Sequence, residues 1–119
     1  MIKKPMELIR EAKSGTFCLT AEGAQAQLAE DPATVIIDVR EPEEVAASAV
    51  AGAVNIPRGV LEMKVEQLVP AHDAPVLLCC ASGGRAALSA KTLRDMGYTN
   101  VKLIDCAHQE IVDTLNKGN

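Results

Sequence analysis

The residues with the most chemistry in this chain lie in one short run, Cys80-Ala81-Ser82-Gly83-Gly84-Arg85, between an apolar stretch and a helix-forming one. Val76-Leu77-Leu78-Cys79-Cys80 reads as a buried strand that delivers Cys80 to the carboxyl edge of a sheet. A helix predicted over Arg85 to Met96 turns its unpaired N–H groups and positive dipole end back toward that thiol. The adjacent Gly83 and Gly84 let the backbone curl into a nest of N–H groups. Arg85 adds a permanent positive charge. Each effect favours thiolate over thiol, which is what makes a cysteine nucleophilic. The same cradle would hold an anionic group attached to the sulfur. The bland reading of these residues is a small apolar side chain ending a strand, followed by a Gly-rich turn. The order strand, Cys, small loop, Arg, helix is more specific than a lone cysteine.

The other candidate residues read mainly as structural. Cys79 precedes Cys80 on a strand, so its side chain faces the other way and is expected in the core. Cys18 lies in a short apolar piece and is also expected in the core. Asp38 and Arg40 flank the end of a second strand, where they either support the active loop or form an ordinary ion pair. His72 stands in a polar loop and is expected to be solvated. Cys106 and His108 could give a metal two ligands, but a site needs about four, so neither a metal nor another cofactor is expected.

An even number of cysteines, here four, can signal a disulfide framework. Adjacent Cys79 and Cys80 are poorly placed to bridge each other. Met1 to Pro5 carries charge with no apolar run behind it, so no secretory signal is read there. The expected setting is cytoplasmic, with reduced thiols. At 119 residues the chain is expected to form one domain, 1–119. Apolar residues at 48% and charged residues at 24% match a globular protein with a real core. Aromatics are only 2%, which argues against base-stacking recognition of single strands. The net charge of −4, with scattered basic residues, argues against nucleic acid generally. No stretch approaches the roughly 20 apolar residues of a membrane helix.

Stepping along the chain, helices are expected over Met6–Lys13, Ala21–Glu30 with Thr20 as N-cap, Pro42–Ala47, Val60–Val69, Arg85–Met96 and Ala107–Lys117. Extended segments are expected at Phe17–Leu19, Val35–Val39, Ala53–Ile56, Val76–Cys80 and Val101–Ile104. The alternation means an α/β domain with a mainly parallel sheet. The active site of such a sheet lies beyond the strands' carboxyl ends, at the loops after Val39, Cys80 and Ile104.

These residues resemble the rhodanese-like sulfurtransferases, in their single-domain form. The family's active loop, C-x-x-G-x-R followed by Ser or Ala, is similar to Cys80, Gly83, Arg85 and Ala86. Ile36-Ile37-Asp38-Val39-Arg40-Glu41-Pro42-Glu43-Glu44 resembles its earlier signature, and Gly52-Ala53-Val54-Asn55-Ile56-Pro57 its G-A-x-N-I-P segment. Leu93, Gly97-Tyr98 and Asn100-Val101 fit L-x-x-x-G-Y-x-N-V. The likeness runs from about Thr20 to Asn116 and covers residues 1–19 weakly. It implies a mainly parallel five-stranded sheet flanked by helices on both faces. It implies that Cys80 takes a sulfane sulfur from a donor such as thiosulfate, becomes a persulfide, and passes the sulfur to cyanide, a thiol or a protein cysteine. The loop Ala81, Ser82, Gly83, Gly84 and Arg85 would bind the anion, with Arg85 either organising the loop or attracting the anionic donor, Asp38 and Arg40 would support it, and no cofactor is implied.

The chain departs from the pattern in two places. Ser48-Ala49-Val50-Ala51-Gly52-Ala53 replaces the family's G-H-I-P-G-A, losing a histidine and a proline. Asp105-Cys106 stands where the family has Gly-Gly, and about Glu110 where it has Trp. The family's strand order puts Cys106 near the active loop, as a candidate resolving thiol that could attack a Cys80 persulfide or sulfenate. The alternative is a half-buried cysteine filling a glycine's space. Other readings of the whole chain stay open. One is a protein-to-protein sulfur relay that uses thiosulfate poorly, since Ala81 and Ser82 bring no cation. Another is a silent rhodanese-like binding domain, although such domains typically lack the cysteine. A cysteine phosphatase or arsenate reductase would carry five residues between Cys and Arg, against four here. The oligomeric state is not fixed by the sequence.

Overall fold

Two apolar runs set the frame. Val35–Asp38 (β2) and Val76–Cys79 (β4) are almost wholly buried, as strands covered on both faces must be. They pair in parallel, with Ile36 opposite Leu77 and Asp38 opposite Cys79. The computed structural model describes residues 1–117, so the last two residues of the expected 1–119 domain lie outside the described residues. The remaining elements in chain order are α1 (Pro5–Ser14), β1 (Phe17–Leu19), α2 (Ala21–Glu30), α3 (Pro42–Ala47), β3 (Val54–Asn55), a 3-10 turn (Arg58–Val60), α4 (Leu61–Leu68), α5 (Gly84–Met96), β5 (Val101–Ile104) and α6 (His108–Leu115).

The five strands form one sheet in the order β1-β5-β4-β2-β3, and every pairing is parallel. Alternating side chains split the core in two. Ile37, Val39, Leu78, Cys80 and Leu103 face α1, α4 and α5, packing with Ala12, Leu61, Val65, Ala87, Ala90 and Leu93. Ile36, Leu77, Cys79 and Ile104 face α2 and α6, packing with Ala24 and Ile111. Each fully buried Leu or Ile contributes about 1.5–3 kcal/mol by leaving water.

Local signals explain the helix starts. The Thr20 hydroxyl accepts from the Gly23 N–H at 3.0 Å and caps α2. Pro42 opens α3, with Glu41 and Glu44 forming a reciprocal capping pair.

The strand expected to run through Cys80 stops at Cys79, and the segment expected as Val60–Val69 divides into the 3-10 turn and α4. One expectation is overturned. Cys18 is exposed, because β1 is a three-residue strand at the edge of the sheet with a largely exposed burial pattern. Phe17 on the same strand is 64% exposed, with the Lys102 ammonium over its ring at 5.3 Å. Among the described residues, no helix is long and apolar enough to cross a membrane.

Candidate active site

Cys80 is the first residue past β4 and is buried. Its sulfur accepts two backbone hydrogen bonds, from the Gly83 N–H at 3.1 Å and the Ala86 N–H at 3.3 Å. The thiol thus takes the place of a capping side chain at the start of α5, where N–H groups have no helical partner. The turn that makes this possible runs through Gly83, whose φ of +98° lies in the left-handed region that other residues resist. Ala81 and Ser82 are exposed at the mouth, while Gly83 is buried and Gly84 half-buried. The Ala81 carbonyl accepts from the His108 N–H at 2.9 Å, which ties the loop to the first turn of α6. Two N–H groups converging on one sulfur stabilise negative charge there, on a thiolate or on a sulfur species derived from it.

Cys79 points into the opposite core. Burial first, then the Asp38 carboxylate, pushes its thiol far above the usual range and makes it inert. Cys106 packs on that same α2–α6 face, its thiol raised by burial and by Glu110. The structure therefore does not bring Cys106 to Cys80, whose side chain belongs to the other face. Asp105, the residue after β5, turns toward the loop, so Cys106, one position further on, packs on the face of Cys79.

Asp38 and Arg40 form a buried pair, 1% and 4% exposed, with Nη2 to Oδ2 at 2.7 Å and Nε to Oδ1 at 3.0 Å. The Asp38 hydrogen bonds, outweighing burial, hold the Arg40 pKa above its ordinary value. Arg40 also donates to the carbonyls of Ser48 at 2.7 Å and Glu44 at 3.3 Å. Asn55 donates to the carbonyls of Asp38 and Arg40, each at 2.9 Å. These bonds fix the segment after β2 and brace α3 beside the loop.

Arg85, expected either to organise the loop or to attract an anionic donor, is held by a carboxylate of another helix. It forms a two-pronged pair with Glu44 of α3, at 2.7 and 3.0 Å. The Arg85 hydrogen bonds, then the Glu41 N–H, pull the Glu44 carboxyl down to about 2. The same bonds raise Arg85. Its charge is locally neutralised, and its effect on the loop is to tie α5 to α3.

Four further residues join the site through contacts that their spacing in the sequence does not reveal. His108 places Nε2 2.9 Å from the Ser48 hydroxyl, and its Nδ1 is buried without a partner among the described residues. Burial first, then Arg40, lowers its pKa. Glu44 holds Arg85 across 41 residues. Lys13 and Ile9 of α1 reach the loop glycines, Ile9 Cδ1 lying 3.1 Å from where a Gly84 Cβ would stand. All are long-range contacts, invisible to spacing. His72 is exposed and pairs with Glu66 at 3.0 Å. Among the described residues, no group of three His, Cys, Asp or Glu side chains is placed to hold a metal ion.

Comparisons with known proteins fit this geometry. Thiosulfate sulfurtransferase PspE of Escherichia coli (strain K12) is 35% identical over 66 residues, covering 56% of this chain and 64% of the relative. Putative sulfur carrier protein YrkF of Bacillus subtilis (strain 168) is 29% identical over 100 residues, covering 84% of this chain and 53% of the relative. The chain thus spans less than two thirds of the length of these curated relatives. Among solved structures, RPA3614 of Rhodopseudomonas palustris CGA009, a protein of unknown function described as a possible tyrosine phosphatase, superposes with a TM-score of 0.85. It is 28% identical, and the match covers 95% of this chain and 92% of that one. The family model described as Rhodanese-like domain matches residues 20–113, from the cap of α2 into α6 and across the whole Cys80 loop, so the chain belongs to the rhodanese-like sulfurtransferase family.

Proposed function

We propose that the protein transfers a sulfane sulfur through a persulfide on Cys80. The observation that carries this reading is the pair of N–H groups directed at Cys80 Sγ from Gly83 and Ala86. The Cys80 thiolate attacks the outer sulfur of a donor such as thiosulfate. The donor's S–S bond breaks, sulfite leaves with the electron pair, and Cys80 becomes a persulfide. The outer, anionic sulfur sits at the mouth formed by Ala81 and Ser82. A nucleophilic acceptor (cyanide, a small thiol or a protein cysteine) then attacks that sulfur, and Cys80 departs as the thiolate. Two half-reactions sharing one covalent intermediate give ping-pong kinetics. The N–H groups stabilise charge on sulfur in both, while Asp38, Arg40 and Arg85 hold the loop in place. Neither half-reaction calls on a metal or an organic cofactor. The four free thiols fit a reducing compartment such as the cytoplasm.

A specific observation favours the relay form of this activity. Arg85 is paired with Glu44, Lys13 with Asp105 and Arg58 with Glu62, so each of these cations is already matched by a carboxylate. Small dianions then gain little attraction, and a protein persulfide becomes the better donor. The same commitment of Arg85 argues against phosphatase chemistry, which needs a guanidinium free to grip a phosphate. The experiment is steady-state transfer with thiosulfate and with a desulfurase-bound persulfide, each to cyanide, for wild type and Cys80→Ser. Sulfur transfer abolished in the variant, with the protein donor preferred in wild type, is the expected result. Equal transfer by Cys80→Ser overturns the reading.

A further inference from the structure

The loop has a second ion pair beside it, contributed by two segments that the catalytic reading does not use. Lys13 Nζ of α1 lies 3.0 Å from Oδ1 of Asp105, the residue after β5. Both groups touch the loop. A Cβ on Gly83 would stand 2.7 Å from Asp105 Oδ1 and 3.6 Å from Lys13 Nζ. The N–H of that glycine reaches Cys80 Sγ at 3.1 Å. Joined through one residue, these contacts hold the Asp105 carboxylate within about 8 Å of the sulfur. Across this partly buried space, a carboxylate opposes a thiolate and an ammonium favours it.

The other ionisable groups around the loop and its supports are committed elsewhere. Arg85 is held by Glu44, Arg40 by Asp38, and His108 Nε2 meets Ser48. The same pair lies near the Cys18 thiol, which it acts on with opposite signs. After burial, Asp105 pushes it up and Lys13 pulls it down. The helix that supplies Lys13 lies outside the matched residues 20–113 and is firmly docked. Ala12 is fully buried, and Arg94 of α5 bonds the Thr16 hydroxyl and, at 3.5 Å, the Ala12 carbonyl.

We propose that Lys13 and Asp105 are positioning residues that set the reactivity of Cys80. Lys13 cancels a carboxylate that would otherwise oppose the thiolate, so the N-terminal helix is part of the active site. The inference rests on Cys80 being the nucleophile.

The test is alkylation of the full chain by iodoacetamide, a neutral reagent, followed on the Cys80 peptide by mass spectrometry between pH 6 and 9. Lys13→Gln leaves Asp105 unopposed and is expected to slow alkylation at pH 7 about threefold to tenfold. Asp105→Asn leaves Lys13 unopposed and is expected to speed it by a similar factor. The double variant is expected to return near the wild-type rate, and Lys13→Arg to keep it. The differences shrink in about 1 M salt, where screening reaches within about 3 Å. A merely structural pair would not give opposite signs, because loosening the loop exposes the thiol in either variant. Rates that shift in the same direction, or do not shift, while Cys80 alkylates normally in wild type overturn the proposal alone. A wild-type Cys80 that resists alkylation while Cys18 reacts overturns it together with the nucleophile reading.

Discussion

Replacing Gly83 by alanine is expected to damage both stability and sulfur loading, and neighbouring glycines separate the causes. Gly83 combines a φ of +98° with a Cβ site 2.7 Å from Asp105 Oδ1. A left-handed conformation costs an ordinary residue about 1–2 kcal/mol, and forcing a contact that close adds about 1–3 kcal/mol. Gly97 has a φ of +113° but nothing within 4 Å, so Gly97→Ala isolates the conformational part, about 1–2 kcal/mol. Gly84 has the contact without the strain, and its neighbour is the end of the flexible Ile9 side chain at 3.1 Å. Gly84→Ala is expected to cost less than about 1.5 kcal/mol. Gly59 has neither feature, and Gly59→Ala is expected to stay within about 0.5 kcal/mol of wild type. Urea unfolding gives the stabilities, and persulfide yield after a fixed exposure to donor gives the loading. Of these glycines only Gly83 donates its backbone N–H to Sγ, so only Gly83→Ala, by forcing that N–H out of line, is expected to slow loading by about tenfold or more, in line with displacing a charge-assisted bond of about 1.5–3 kcal/mol. A Gly83→Ala protein as stable and as readily loaded as Gly59→Ala would refute the reasoning.

Other outcomes follow from the same contacts. Glu44→Gln frees the Arg85 charge, so the KM for thiosulfate is expected to fall about threefold to tenfold with little change for a neutral donor; an unchanged ratio between the two donors contradicts the pairing argument. The depressed Glu44 carboxyl binds its proton later in the folded chain than in the unfolded one, so its stabilisation is full above the ordinary value of 4.5 and is lost as pH falls toward about 2. Urea midpoints measured through that window are expected to fall less steeply in Glu44→Gln. His108 is a base with a lowered pKa, so the unfolded chain takes up its proton first and stability declines as pH falls below about 6.5. The slope between pH 7.5 and 5.5 is expected to be shallower in His108→Asn, and identical slopes count against the buried imidazole. Asn55→Ala leaves the Asp38 and Arg40 carbonyls without two 2.9 Å bonds and is expected to cost about 1–3 kcal/mol by chemical denaturation.

The parts of this molecule that could be read in advance are those written locally. β2 and β4 are continuous apolar runs, which only a doubly covered parallel strand accommodates, and both stand where their composition placed them. Thr20 and Pro42 mark helix starts through bonds within one turn. The loop from Cys80 to Arg85 was visible because strand, glycines and helix follow one another in the chain. What stayed hidden depends on partners far apart. The sequence leaves open whether Arg85 organises the loop or attracts an anion, because its partner Glu44 belongs to another helix. Cys18 looked apolar enough for the core, but the strand order leaves β1 at an open edge. Cys106 was placed by strand adjacency alone. Adjacency does not say which face a side chain takes, and Cys106 takes the face of Cys79. The contacts of Lys13, Ile9 and His108 with the loop arise where α1 and α6 dock, which no periodicity encodes.

The central claim is that sulfur travels on Cys80, and intact mass tests it most directly. Reduced protein would be exposed briefly to a sulfane donor, both thiosulfate and a protein persulfide, and weighed beside Cys80→Ser. The account predicts a species one sulfur atom heavier in wild type, mapped to the Cys80 peptide, discharged by cyanide and absent from the variant. A gain of the same mass in Cys80→Ser, or none in wild type with either donor, would contradict it.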